Sequence, residues 1–84
     1  MEQYLVPGSN AKDLLAFYMR TLPAGGWRID TTTSDPEGKH PGSGGARSLD
    51  VCMAPAVWRS VVFGDEASGT VLFVTALPDT DPCR

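Results

Sequence analysis

The chain has 84 residues, a formal net charge of −3 and an apolar fraction of 42%. A chain of this length forms one domain, residues 1–84, and buries only roughly 60–65% of the surface that the unfolded chain exposes. Its seven basic residues are scattered singly, which argues against nucleic-acid binding. The longest uninterrupted apolar run, Leu14 to Met19, is far too short to span a membrane.

The first third of the chain predicts a strand followed by a capped helix. A strand around Tyr4 to Val6 ends at Pro7 and Gly8, and either Ser9 or Asn10 can cap the helix that follows. The helix is predicted over residues 11–22. Its apolar stripe recurs at helical spacing, with two further apolar residues on its flanks; the stripe is Ala11, Leu14, Leu15, Tyr18 and Leu22, and the flanking residues are Phe17 and Met19.

A second strand and a long connection follow the helix. Pro23 and the Gly25-Gly26 pair end the helix, and residues 27–32 alternate apolar and polar side chains as a half-buried strand does. Residues 33–47 are rich in Gly, Pro and Ser and contain no large apolar side chain, so we expect a flexible loop there.

The C-terminal half predicts three more strands. Residues 49–53 alternate, and the apolar segments 57–63 and 70–77 flank a turn-forming linker at 64–69. Residues 55–63 also fit a short helix with Pro55 at its first position, although the Val-Val-Phe ending favours a strand. The expected fold is therefore α+β: one main helix on an antiparallel sheet of four or five strands, in the order β-α-β-β-β-β.

Both faces of the last two strands are apolar, whereas one helix covers only one face of a sheet. We therefore expect the second face to be covered by another copy of the chain, by a neighbouring domain or by a partner protein. The alternative is that the long loop or the C-terminal tail folds over it. The candidate interface residues are Trp58, Val62, Leu72 and Val74, and Trp58 fits a core position equally well.

The two cysteines, Cys52 and Cys83, leave two interpretations open. They can form a disulfide, or they can be one buried thiol and one thiol on a loose C-terminus. The Pro-rich tail that holds Cys83 has little other reason to be anchored, which favours the disulfide. No signal-peptide pattern follows Met1, so the protein is either cytoplasmic or an exported chain without its signal.

No set of residues in the sequence is typical of catalysis or metal binding. The single histidine, His40, lies in the expected flexible loop, a poor place to hold a catalytic geometry. Cys52, Cys83 and His40 do not have the spacing of a metal site. We therefore expect no enzyme activity, no metal and no cofactor.

The run Val6-Pro7-Gly8-Ser9, Leu15-Ala16-Phe17-Tyr18 and Leu22-Pro23-Ala24-Gly25-Gly26-Trp27 resembles a pattern of small bacterial cell-envelope or lipoprotein-type domains. In those domains the run forms a helix entering a small antiparallel sheet. The resemblance covers about the first third of the chain and carries no catalytic or ligand-binding residue. It implies an extracytoplasmic setting, and with it a disulfide between Cys52 and Cys83.

Two functions follow as expectations. The first is a non-catalytic protein-binding or assembly module that uses the apolar second face of the sheet, as a homo-oligomer or with a partner protein. The second is a domain that binds a small ligand in a pocket between helix and sheet, lined by Tyr18, Trp27 and Phe73.

Overall fold

The fold is one helix packed on a five-stranded antiparallel sheet, as the sequence predicts. A computed structural model describes residues 1–40, 44–78 and 80–83. All strand pairs are antiparallel, in the spatial order β1-β5-β4-β3-β2. The elements are β1 (Glu2–Pro7), α1 (Ala11–Thr21), a short 3-10 turn (Pro23–Gly25), β2 (Arg28–Ile29), β3 (Arg47–Met53), β4 (Val57–Glu66) and β5 (Gly69–Ala76).

The helix begins where the sequence places it. Asn10, rather than Ser9, is the N-cap, and its side chain accepts a hydrogen bond of 2.8 Å from the Asp13 amide. The Ser9 hydroxyl instead donates to the Val6 carbonyl at 2.7 Å. The predicted stripe faces the sheet: Ala11 and Leu15 are buried, whereas the flanking Phe17 and Met19 are exposed.

The helix N-terminus is also held by the sheet. The Ala11 amide, which has no acceptor within the helix, donates a 2.7 Å hydrogen bond to the Asp65 carboxylate on β4. A carboxylate at this end is stabilised by the helix dipole.

Strands β4 and β5 form one long hairpin. Residues 55–63 contain the start of β4 and no helix, so the strand interpretation is confirmed. The linker predicted at 64–69 is longer than the loop that the structure shows. Pairing continues up to Glu66 opposite Gly69, which leaves only Ala67 and Ser68 in the loop.

The predicted strand at 27–32 is much shorter, because only Arg28 and Ile29 pair with β3. The chain then returns to the same edge through a bridge between Asp35 and Ser48. The Asp35 carboxylate accepts hydrogen bonds from the amides of Lys39 (2.9 Å) and His40 (2.8 Å). The flexibility expected at 33–47 stays a prediction, and residues 41–43 of that segment lie outside the described part.

The core lies between the helix and one face of the sheet. It consists of residues that are at most 5% exposed, namely Ala11, Leu15, Leu49, Val51, Phe63 and Leu72. Alternation along each strand puts odd-numbered residues of β3 and β4 on this face, and their partners on β5 are even-numbered. Among the described residues, no helix has the length and apolar character needed to cross a membrane.

Gly69 brings β1 and β5 together at the end of the hairpin. Its φ is +151°, in a region that favours glycine, and it lies opposite Pro7. A Cβ there would collide with the Val6 carbonyl oxygen and lie 2.9 Å from the Pro7 Cα. Only glycine allows the two backbones to approach this closely.

Gly69→Ala is therefore expected to lower the free energy of unfolding by roughly 2–3 kcal/mol, through backbone strain and displacement of β1. Hydrogen exchange should show β1 amides losing protection before those of β3. Gly64→Ala is the matched control, because its Cβ would meet its nearest neighbours at an ordinary 3.8 Å. Equal losses in both variants would contradict the explanation.

Candidate binding groove

The helix is too narrow to cover the sheet. An α-helix with its side chains is about 10 Å across, whereas five strands spaced by about 4.8 Å are roughly 20 Å wide. Helix α1 lies over β3 and β4. The helix side of the sheet therefore stays open in part, along a strip that reaches from Tyr4 on β1 past Val74 on β5 and Arg59 on β4 to Val51 on β3.

This open strip is a groove of about 530 Å³, within the range of small-molecule sites. Its lining includes the aromatic rings of Tyr4, Tyr18, Trp27 and Phe63, and the aliphatic side chains of Val61 and Val74, which pair across β4 and β5. Both valines, Tyr18 and Trp27 are half-buried, and Tyr4 is 50% exposed. The groove thus presents apolar and aromatic surface that neither the helix nor the tail covers completely.

One charged side chain lines the groove among the described residues, that of Arg59. Its Nη1 donates a 2.8 Å hydrogen bond to the Trp58 carbonyl. The hydroxyl of Tyr4, another lining residue, donates to the Glu2 carboxylate, and this hydrogen bond raises the pKa of Tyr4 above its ordinary value. The Glu2 carboxylate is therefore engaged by Tyr4, and it forms no ion pair with Arg59.

The structure brings together two of the three residues expected in the pocket between helix and sheet. Tyr18 and Trp27 both line the groove. The expected position of Phe73 is wrong, because Phe73 pairs with Val62 on the opposite face of the sheet. Its ring lies near Gly64, where an added Cβ would be 3.8 Å from it.

The four candidate interface residues do not share a face. Because the two-residue loop pairs Glu66 with Gly69, even-numbered residues of β4 face the same side as odd-numbered residues of β5. Trp58 and Val62 therefore lie on the face away from the helix. Leu72 and Val74 lie on the helix side, where Leu72 is 5% exposed and belongs to the core.

The C-terminal tail covers one end of the face away from the helix. A disulfide joins Cys52 on β3 to Cys83, with their Cα atoms 5.6 Å apart. The Cys83 amide donates to the Pro55 carbonyl, and the Trp58 indole Nε1 donates to the Asp81 carbonyl, both at 2.8 Å. The disulfide interpretation is thereby confirmed, and the tail accounts for the burial around Cys52 and Trp58.

Other candidate residues are not assembled into a site. His40 is exposed, and its amide donates to the Asp35 carboxylate. In the part of the chain that the structure describes, no three His, Cys, Asp or Glu side chains are placed to hold a metal ion.

Comparisons with protein-family models, with curated proteins and with solved structures find no match to this chain.

Proposed function

We propose that this protein is a non-catalytic binding module and that the groove on the helix side binds a small, largely apolar molecule. The observation that carries the proposal is the groove's lining, which among the described residues combines four aromatic rings, aliphatic side chains and one cation. Binding sites for small molecules are typically concave, mostly apolar and supplied with few polar groups. Rings that are already held by the helix and the sheet lose little entropy when a ligand binds.

The disulfide supports an extracytoplasmic setting for this module, because disulfides persist in oxidising compartments. The resemblance of the first third to cell-envelope domains is consistent with the same setting. In such a compartment the tail stays linked to β3 while the groove, on the other face, stays open.

A test of the groove uses Nile red, a neutral apolar dye whose fluorescence rises in apolar surroundings. Val74→Lys should weaken dye binding about tenfold or more, because it places an unpaired ammonium among apolar side chains. Val62→Lys is the matched control. It makes the same change at a half-buried valine on the neighbouring strand, but on the opposite face, and should leave dye binding unchanged.

Circular dichroism and thermal unfolding must show that both variants remain folded. Equal weakening in the two variants would refute a site on the helix side, as would dye binding that Val74→Lys leaves intact.

A second candidate function is a protein contact through the opposite face. The tail covers only one end of that face, and Leu5, which faces Val71 across β1 and β5, is 52% exposed. The half-buried pair Val62 and Phe73 lies on the same face. Sedimentation equilibrium over a range of concentrations tests this function. Self-association that Val62→Lys abolishes supports it, and a monomer at high concentration argues against a homo-oligomer.

A further inference from the structure

The charge distribution in the groove identifies the class of ligand. Arg59 lies on β4 between Val51 of β3 and Ala76 of β5, and its side chain is half-buried. It therefore brings a full positive charge to a surface that is otherwise apolar and aromatic. A guanidinium in such surroundings is stabilised strongly by an anion, because the local dielectric is lower than that of water.

The Arg59 guanidinium has N–H donors that its hydrogen bond to Trp58 does not use. It carries five N–H groups, and among the described residues one hydrogen bond engages it, from Nη1 to the Trp58 carbonyl. No described carboxylate pairs with it. The Glu2 carboxylate, which lies on the same side of the sheet, accepts a hydrogen bond from Tyr4 instead.

We propose that the ligand is an amphipathic monocarboxylate: an aliphatic or aromatic body in the groove and one carboxylate head on Arg59. This inference rests on the proposed function. A planar guanidinium can donate two parallel hydrogen bonds to a carboxylate, the pairing with the best-matched geometry. One cation matches one anionic group, and the net charge of −3 disfavours ligands with several.

The groove supplies the rest of the recognition. The aromatic rings of Tyr18 and Trp27 and the aliphatic side chains of Val61 and Val74 line it. An apolar body that fills this space buries its own surface and that of the valines, which gives affinity without direction. The pairing of the carboxylate with Arg59 then fixes the orientation of the ligand in the groove.

The experiment compares decanoate with decan-1-ol, two probes with the same chain length that differ in charge at neutral pH. Each is titrated as a competitor against Nile red bound to the wild-type protein and to Arg59→Gln. We expect decanoate to lose about tenfold or more in affinity in Arg59→Gln, while decan-1-ol changes less than about twofold. Arg59→Lys should restore part of the preference, because it keeps the charge but not the planar donor pair.

The possible results separate the inference from the proposed function. If both probes compete and Arg59→Gln weakens both equally, the proposal of a monocarboxylate ligand is wrong, while the proposal of an apolar binding groove is supported. If neither probe competes, both proposals fail. If Nile red leaves the groove as the protein dimerises, the occupant is a second copy and the monocarboxylate is again wrong. Should Arg59→Gln fail to fold, a wild-type preference for decan-1-ol over decanoate already overturns the inference.

Discussion

Phe63→Ala is expected to lower the free energy of unfolding by about 3–5 kcal/mol. The Phe63 side chain is 2% exposed and lies in the core with Leu15, Leu49 and Leu72, and its ring centroid is 6.0 Å from that of Tyr18. Removing the ring forgoes its burial and leaves a cavity that the sheet backbone cannot close. In a domain of this size, the loss is a large fraction of the total stability.

Urea denaturation followed by circular dichroism measures this effect, with Phe17→Ala as the matched control. Phe17 is the same residue type on the same side of the fold, but it is 46% exposed, so its loss should be well under half as large. Phe63→Leu should fall between the two, because most of the volume is kept. Equal effects of Phe63→Ala and Phe17→Ala would show that the core does not lie where the structure places it.

Breaking the disulfide is expected to have the second-largest effect. The cross-link joins residues separated by 31 positions, and the chain-entropy model gives about 3–4 kcal/mol for a loop of this length. Cys83→Ala removes the cross-link while leaving the buried Cys52, which is 4% exposed, in place. We therefore expect Cys83→Ala to lower the free energy of unfolding by about 3–4 kcal/mol, measured as a lower urea midpoint at an unchanged denaturant slope.

Reductant supplies the control for this prediction. Wild-type protein in reductant should unfold at the midpoint of Cys83→Ala, and the variant itself should not respond to reductant. The Trp58 indole should also become more accessible to a soluble quencher, because the tail carries its hydrogen-bond acceptor on Asp81. A wild-type midpoint that reductant leaves unchanged would show that the cross-link contributes nothing to stability.

Local signals in the sequence predict the helix and the fold class because each of them acts over a few residues. The spacing of Leu15 and Tyr18, the cap at Asn10 and the breaker at Pro23 all concern neighbours in the chain. The choice of strand at Val57 to Phe63 succeeded for the same reason: β-branched residues and a nearby turn define a hairpin locally.

The register of β4 against β5 could not be predicted from the sequence, because one loop residue more or fewer changes which residues of the two strands pair. The candidate interface residues Trp58, Val62, Leu72 and Val74 are all even-numbered, and placing them on one face would need a loop with an odd number of residues. The observed loop, Ala67 and Ser68, has two, so Val62 meets Phe73 and Leu72 enters the core. A shift of one residue moves every side chain to the other face.

Only some of the residues that line the groove could be predicted from the sequence. The sequence predicts Tyr18 and Trp27 in a pocket between helix and sheet, and both line the groove. Arg59 was missed, because its exposure depends on how much of the sheet the helix covers. That coverage is a tertiary property, because it depends on α1 lying over β3 and β4 and leaving only part of the helix side of the sheet open.

The two tryptophans allow the most direct test of the central claim, since Trp27 lines the groove and Trp58 lies on the opposite face. Their indole N–H signals can be followed separately in a proton–nitrogen correlation spectrum while decanoate is added. The account predicts a saturable shift of the Trp27 signal, with the Trp58 signal unmoved. A shift confined to Trp58, or none at either indole, would contradict it.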